Sequence, residues 1–285
     1  MVSADLIYTT AQRRAIPLPK SVSGPKDLYP YITTPPFSTS LTEWLQPIIF
    51  YIQSDVVSIV CDTMAECSRY YDIHVRFLLC AIRDRPEWTG EIVDLAYQYK
   101  SKGVIGIDLA GDEQYSYMPH SVEFTRAKSL GLRITVHAGE SGPAQEIITA
   151  INDLHAERIG HGYKCIQSDH IYNVIKQSGI HLECCLTSSL QTGSVSVPLI
   201  QHPVVRFAHD QISFSLNTDD PSICSTTLNQ EYALAYSQAC ISFEMITRSI
   251  QNAMQAAFLP DPERELLQKQ ITERIGQARA RLNIK

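Results

Sequence analysis

The sequence is organised around one stretch, residues 132–140, which reads Leu-Arg-Ile-Thr-Val-His-Ala-Gly-Glu. Its first five residues are mostly apolar and β-branched, and such a run that stops at polar side chains is typical of a buried parallel strand. Gly139 would let the backbone turn sharply, and we expect Glu140 to swing back beside the imidazole of His137. Taken alone, the stretch fits equally well an ordinary strand followed by a loop with two ionisable residues.

Five further apolar runs alternate with helical patterns along the chain. The predicted strands are 73–82, 104–109, 132–136, 158–161, 180–184 and 212–216. This alternation indicates an α/β fold with right-handed crossovers and a parallel sheet, which is either open and doubly wound or closed into a barrel. No glycine-rich phosphate loop follows a strand, and polar residues stand at nearly every carboxyl end. A (β/α)₈ TIM-type barrel with a site on its top face is therefore favoured.

The first part of the chain has a different character from the rest. Residues 1–54 contain prolines that interrupt any continuous helix or strand, among them Pro17, Pro19 and Pro35. We therefore predict an irregular N-terminal segment, 1–54, followed by a barrel domain, 55–285.

Composition excludes several classes of function. The 285 residues fit one large α/β domain, and the net charge of −6 is mild. No basic stretch indicates nucleic-acid binding, and no apolar run is long enough to span a membrane. The eight cysteines show no Cys-x-x-Cys spacing, and the N-terminus does not resemble a secretory signal. We predict a reduced, cytoplasmic protein that binds neither nucleic acid nor membrane.

Three of the predicted strand ends carry candidate site residues with an ordinary alternative. Gly111, which follows the strand at 104–109, would expose its backbone N–H to a ligand, although a plain turn glycine is the better interpretation in isolation. His161 lies between two glycines. Its side chain would therefore be free to point toward a ligand and would have few neighbours to pack against. The hydroxyl groups of residues 187–189 would either support a site or cap a helix.

The last predicted strand is followed by two adjacent carboxylates, Asp219 and Asp220. Two such groups repel each other unless a cation or a proton separates them. Pro221 would keep Asp220 extended, so that one aspartate faces a metal and the other a substrate. The alternative is a solvated Asp-Asp-Pro turn.

Together these strand ends indicate metal-assisted hydrolysis. His137 and Asp219 are nitrogen and oxygen donors suited to Zn²⁺. Glu140 and His161 form an acid–base pair beside that metal. A metal-bound water that attacks a planar, electron-poor carbon would need this set of groups.

With these residues in place, the sequence closely resembles the adenosine deaminase family of metal-dependent hydrolases, over about residues 55–260. The matching motifs are 107–113, 135–140, 158–163 and 215–221. The resemblance implies a zinc (β/α)₈ barrel of purine nucleotide metabolism that converts adenosine and deoxyadenosine to inosine and ammonia. It also implies a small-molecule purine nucleoside as the partner, and a monomer when the chain is complete. In this family His137 and Asp219 would be zinc ligands.

The same resemblance assigns roles to the remaining candidate residues. Glu140 would protonate the purine N1 atom, and His161 would orient and deprotonate the zinc-bound water. Asp220 would hydrogen-bond N7, and the backbone N–H of Gly111 would reach N3.

The sequence departs from the family in one respect, because it contains no His-x-His pair, which in the family lies on the first strand and supplies two more zinc ligands. The six predicted strands resemble strands three to eight, so we expect an incomplete barrel, through an incomplete gene model, a splice form or natural loss. Such a chain would bind zinc poorly and be impaired as an enzyme. The alternatives are a deaminase of N6-methyl-AMP from the same superfamily and a non-catalytic remnant.

Overall fold

The computed structural model describes residues 57–58, 60–70 and 73–282, so the predicted segment 1–54 lies outside the described part of the chain. Six parallel strands form one sheet, whose spatial order follows the order of the chain. The strands are β1 (Phe77–Ile82), β2 (Val104–Ala110), β3 (Arg133–Ala138), β4 (Arg158–His161), β5 (His181–Cys184) and β6 (Phe214–Leu216). Each of the six lies at a predicted strand, although β1 begins four residues later than the predicted strand 73–82.

Helices connect the strands and cover the sheet. Residues 60–70 are helical, and the later helices are α1 (Thr89–Gln98), α2 (Ser121–Ser129), α3 (Gln145–Asn152), α4 (Asp169–Ser178), α5 (Leu186–Thr192), α6 (Pro203–His209), α7 (Pro221–Cys224), α8 (Leu228–Ser237), α9 (Phe243–Ala256) and α10 (Asp261–Leu282). None of the described helices combines the length and apolar character needed to cross a membrane.

The core lies between the sheet and the helices that cross over it. Ile134 and Val136 of β3 are at most 1% exposed, as are Phe124 of α2 and Ile147 of α3. Ala138 pairs with His161 at the ends of β3 and β4. Because parallel strands end at the same edge of a sheet, this register brings the residues that follow β3 and β4 together.

Two short helices, α5 and α7, were not predicted. Each follows a strand closely and is no longer than two turns, so it contains too few residues to show a helical period. Of the two alternatives left open for the hydroxyls of residues 187–189, capping of α5 is not observed, because Cys185 occupies the N-cap position without a side-chain hydrogen bond.

The described sheet is the six-stranded part of a (β/α)₈ barrel, with β1 and β6 at its two ends. On β1 the side chains of Cys80 and Ile82 are exposed. On β6 the side chains are covered. Phe214 and Leu216 are 2% and 3% exposed, and helix α9 packs against this strand.

Candidate active site

Four of the six predicted site residues meet at the carboxyl ends of β3, β4 and β6. The Nε2 atom of His161 lies 3.6 Å from Glu140 Oε2 and 3.8 Å from Asp219 Oδ2. The rings of His137 and His161 meet edge to face, with centroids 5.1 Å apart. Two imidazoles and two carboxylates thus face one another across a gap of a few ångströms.

Glu140 lies 3.6 Å from the imidazole of His161, and the charge of His137 also acts on its carboxylate. The turn after β3 is wound around the buried carboxylate of Glu113, which accepts hydrogen bonds from the backbone N–H groups of Glu140 (2.9 Å), Gly139 (3.1 Å) and Gly142 (2.7 Å). Gly139 has φ +69°, the left-handed conformation that the sharp turn requires. The carboxylate of Glu113 therefore determines where Glu140 points.

His137 is oriented by Asp108, a residue that sequence reasoning missed. The Nδ1 atom of His137 lies 3.1 and 3.0 Å from the two carboxylate oxygens of Asp108 on β2. Desolvation opposes a positive charge on His137, but Asp108 outweighs it and raises the pKa to about 10. A histidine that binds a metal usually donates its other ring N–H to a carboxylate. His137 therefore has the surroundings of a metal ligand.

His161 is packed tightly, so the expectation that it has little to pack against is wrong. Its side chain contacts the rings of His137 and Tyr163, and the residue is 2% exposed. Burial, with the nearby His137, lowers the pKa of His161 to about 4. The imidazole is therefore neutral at neutral pH, and its approaches to Glu140 and Asp219 are not ion pairs. Its Nδ1 atom is buried without a hydrogen-bond partner.

The two aspartates after β6 have different surroundings. Asp219 has φ +59°, an unusual value for a residue other than glycine, and its Oδ2 accepts a hydrogen bond of 2.7 Å from the hydroxyl of Ser188. Burial, with the adjacent Asp219, raises the pKa of Asp220. Asp220 has φ −90° and ψ 88°, outside the helical region, as expected for a residue that precedes Pro221.

Gly111 follows β2 at the same edge of the sheet and is exposed. Its φ is +107°, and a Cβ atom there would lie 3.4 Å from the backbone nitrogen of Arg83. The backbone conformation explains why glycine stands at this position.

A second buried carboxylate, that of Glu231, holds the first residues of helix α5. Glu231 on α8 is fully buried and accepts hydrogen bonds from the backbone N–H groups of Leu186 and Thr187, at 2.9 and 3.2 Å. It therefore stabilises the beginning of α5, the helix that carries Ser188 to Asp219. No sequence signal marked Glu231, because a glutamate within a helical pattern is most often solvated.

Among the described residues, one group offers three metal donors close together. It consists of His161, Cys185 and Asp219, whose donor atoms all lie within 4.8 Å of one another. His137 is not part of that group, and Cys185 was not predicted as a site residue.

A family model described as adenosine deaminase matches residues 32–274. The chain belongs to the adenosine deaminase family. It is 39% identical over 217 residues to adenosine deaminase from Bos taurus, an alignment that covers 75% of this chain and 60% of the bovine protein. The chain spans about three fifths of the length of the curated adenosine deaminases that it matches.

Solved structures of deaminases and amidohydrolases share this fold. The Arabidopsis N6-mAMP deaminase superposes with a TM-score of 0.64 at 32% identity, over 70% of this chain and 60% of that one. An amidohydrolase from Burkholderia ambifaria with bound Zn superposes with a TM-score of 0.80 at 19% identity, over 100% of this chain and 90% of that one. The second likeness concerns the fold alone. Both comparisons agree with a TIM-type barrel, of which the described residues form six strands.

Proposed function

We propose that this chain carries the site of a hydrolytic deaminase that acts on adenosine and deoxyadenosine. The observation that supports this most strongly is the position of Glu140. Its carboxyl group lies 3.6 Å from Nε2 of His161, and the carboxylate of Asp219 lies 3.8 Å from the same nitrogen. A carboxylic acid, a neutral imidazole and a metal-binding carboxylate are the groups that hydrolysis at an electron-poor ring carbon requires. Membership of the adenosine deaminase family supports the same chemistry.

Zn²⁺ would be held by His137 and Asp219. Both residues have the supporting hydrogen bonds expected of metal ligands, His137 with Asp108 and Asp219 with Ser188. When bound, zinc supplies Lewis-acid chemistry that lowers the pKa of a water molecule toward neutrality.

The protein groups would divide the proton transfers between them. Burial raises the pKa of Glu140, which favours a protonated carboxyl group that can donate to the purine N1 atom. His161 is neutral and would accept a proton from the attacking water. Asp220 would bind N7, an acceptor, and its raised pKa favours the protonated form that such a hydrogen bond needs. The backbone N–H of Gly111 would bind N3.

The chain as it stands would be impaired, because its 285 residues contain no His-x-His pair. Catalytic zinc sites normally have three protein ligands and one open position, and His137 with Asp219 supplies only two. The test is to purify the 285-residue chain, measure bound zinc by elemental analysis and follow the conversion of adenosine to inosine by ultraviolet absorbance. We expect little turnover. One zinc per chain with robust turnover would contradict the proposed impairment.

Deamination of N6-methyl-AMP is the second candidate, because the Arabidopsis N6-mAMP deaminase is among the similar structures, at 32% identity. That substrate requires space for a methyl group and a cationic contact for the phosphate. A version of the chain that supplies the His-x-His pair should be assayed with adenosine and with N6-methyl-AMP. A strong preference for N6-methyl-AMP in kcat/KM would overturn adenosine as the substrate.

A further inference from the structure

We propose that this chain binds a zinc-like divalent metal ion through His161, Cys185 and Asp219, so that a cysteine thiolate becomes a ligand. The inference rests on the proposed function for the location of the site, but it replaces the His137–Asp219 pair as the position of the metal ion. The proposed ligand set shares Asp219 with the His137–Asp219 pair, but it uses His161 in place of His137 and adds the thiol of Cys185.

The distances suit a tetrahedral ion. The three donor atoms lie within 4.8 Å of one another, and His161 Nε2 is 3.8 Å from Asp219 Oδ2. Zinc bonds to nitrogen, oxygen and sulfur are about 2.0–2.3 Å long, which places tetrahedral donors roughly 3.3–3.8 Å apart. A side-chain movement of about 1 Å or less would complete the coordination. A thiolate with an imidazole also favours zinc over magnesium or calcium.

An unsatisfied histidine points to a missing partner at this position. His161 is 2% exposed, and its Nε2 atom is 3.6 and 3.8 Å from the carboxylate oxygens of Glu140 and Asp219. Both of those approaches are longer than a hydrogen bond. Buried polar groups are nearly always paired, and a bond from Nε2 to a metal ion would give this nitrogen a partner.

The other two donors are held in place by their neighbours. The hydroxyl of Tyr163 accepts a hydrogen bond from the backbone N–H of Cys185 at 2.7 Å and donates one to its carbonyl at 3.1 Å. Ser188 donates to Asp219. Such supporting contacts orient metal ligands and raise affinity. Cys185 itself is 4% exposed, so its thiol lies within the protein and not on the surface.

The sequence limits the alternatives. All nine histidines and all eight cysteines lie at residue 61 or later, so residues 1–56 hold no imidazole or thiol. Over residues 57–58, 60–70 and 73–282, the group around Cys185 is the one that brings three such donors together. Among the described residues, this group is therefore the candidate position for a metal ion that needs three protein ligands.

Metal binding at this position would have a cost for catalysis. The thiol of Cys185 would lose its proton to solvent as the metal–sulfur bond forms. His161 would become a ligand and would no longer be available to accept a proton from the attacking water. The chain would then contain metal without turning over adenosine.

Cobalt provides a spectroscopic test, because a thiolate bound to Co²⁺ gives a charge-transfer band in the near ultraviolet. We expect the purified chain titrated with Co²⁺ to develop this band together with visible bands of tetrahedral intensity. In Cys185→Ser the charge-transfer band should vanish and the affinity should fall about tenfold or more. Cys184→Ser is the matched control, since this buried neighbour lies outside the donor group, and it should keep the band.

The outcomes separate this proposal from the proposed function. A folded chain that binds Co²⁺ without a thiolate band would overturn the proposal, as would a band that persists in Cys185→Ser. Loss of Co²⁺ binding in His137→Asn but not in Cys185→Ser would also overturn it and would place the ion at His137 and Asp219. Absence of the thiolate band from the spectrum of the unaltered chain overturns the proposal even if a variant fails to fold. Calorimetric binding of adenosine to metal-free protein tests the purine site independently.

Discussion

The imidazole of His137 lies directly against the backbone of Gly160 on the neighbouring strand. The two residues are paired in the register of β3 and β4. A Cβ atom at position 160 would come within 2.8 Å of Cγ and 2.9 Å of Cδ2 of that ring, closer than van der Waals contact permits. The missing side chain at Gly160 therefore creates the space that His137 occupies while it binds Asp108.

We expect Gly160→Ala to displace the His137 ring and to lower the free energy of unfolding by about 1–3 kcal/mol, because the added methyl group overpacks a buried contact. Urea unfolding followed by circular dichroism measures the change. Gly276→Ala on α10 is the control, since a Cβ atom there meets nothing within 4 Å. It should be neutral or slightly stabilising. Equal destabilisation by both variants would contradict the inference that a methyl group at position 160 overpacks the contact with His137.

Glu113 is the centre of a second testable arrangement, because one carboxylate satisfies three backbone N–H groups of the turn after β3. Glu113→Gln would bring an NH₂ group toward those N–H donors. We expect a loss of about 2 kcal/mol or more in unfolding free energy. Adenosine binding should also weaken, because Glu140 is no longer held in position.

Asp112→Asn is the matched control for Glu113→Gln, since it makes the same chemical change at an exposed residue next in the chain. A surface change of this kind usually stays within about 0.5 kcal/mol. If Glu113→Gln changed stability no more than Asp112→Asn, the turn would not depend on the carboxylate.

The role of Glu140 is tested best in a version of the protein that supplies the His-x-His pair. Glu140→Gln should lower kcat by about 10²–10⁴-fold, the usual contribution of a general acid or base, and should leave bound zinc unchanged in elemental analysis. Glu273→Gln on the exposed face of α10 should have no effect on kcat. Substantial activity in Glu140→Gln would refute the proton-donor role.

The strands were predictable because apolar runs such as 132–136 must be buried, and burial on both faces requires a parallel sheet with covering helices. The polar residue that ends each run then marks the edge where the site forms. His137, His161 and Asp219 follow from this argument. Their mutual distances do not, since these depend on the register and twist of neighbouring strands.

The residues that sequence reasoning missed act through contacts between elements far apart in the chain. Asp108 lies on β2 and is hydrogen-bonded to His137 on the neighbouring strand β3. Glu231 lies 45 residues after Leu186 in the chain, and its carboxylate accepts a hydrogen bond from the backbone N–H of Leu186. Neither has a local signal, because their function arises only after folding brings a carboxylate to an unpaired donor.

Two buried histidines away from the site should make the protein sensitive to acid. Burial, with Arg158 nearby, lowers the pKa of His181 to about 3, and burial lowers the pKa of His202 to about 4. Both rings are hydrogen-bonded to serine hydroxyls, His181 to Ser213 and Ser215 and His202 to Ser189. In the unfolded chain a histidine titrates near pH 6.5.

Between about pH 6.5 and pH 4 the unfolded state therefore binds more protons at these histidines than the folded state does. The free energy of unfolding must fall as the pH decreases through this window, by up to about 1.4 kcal/mol per pH unit for each histidine. Urea unfolding at half-unit pH intervals measures the slope. His202→Gln removes one titrating group and should flatten it, whatever its effect at pH 7. His170→Gln, at an exposed position, should keep the original slope. Identical slopes in the two variants would show that His202 does not remain neutral in the folded protein.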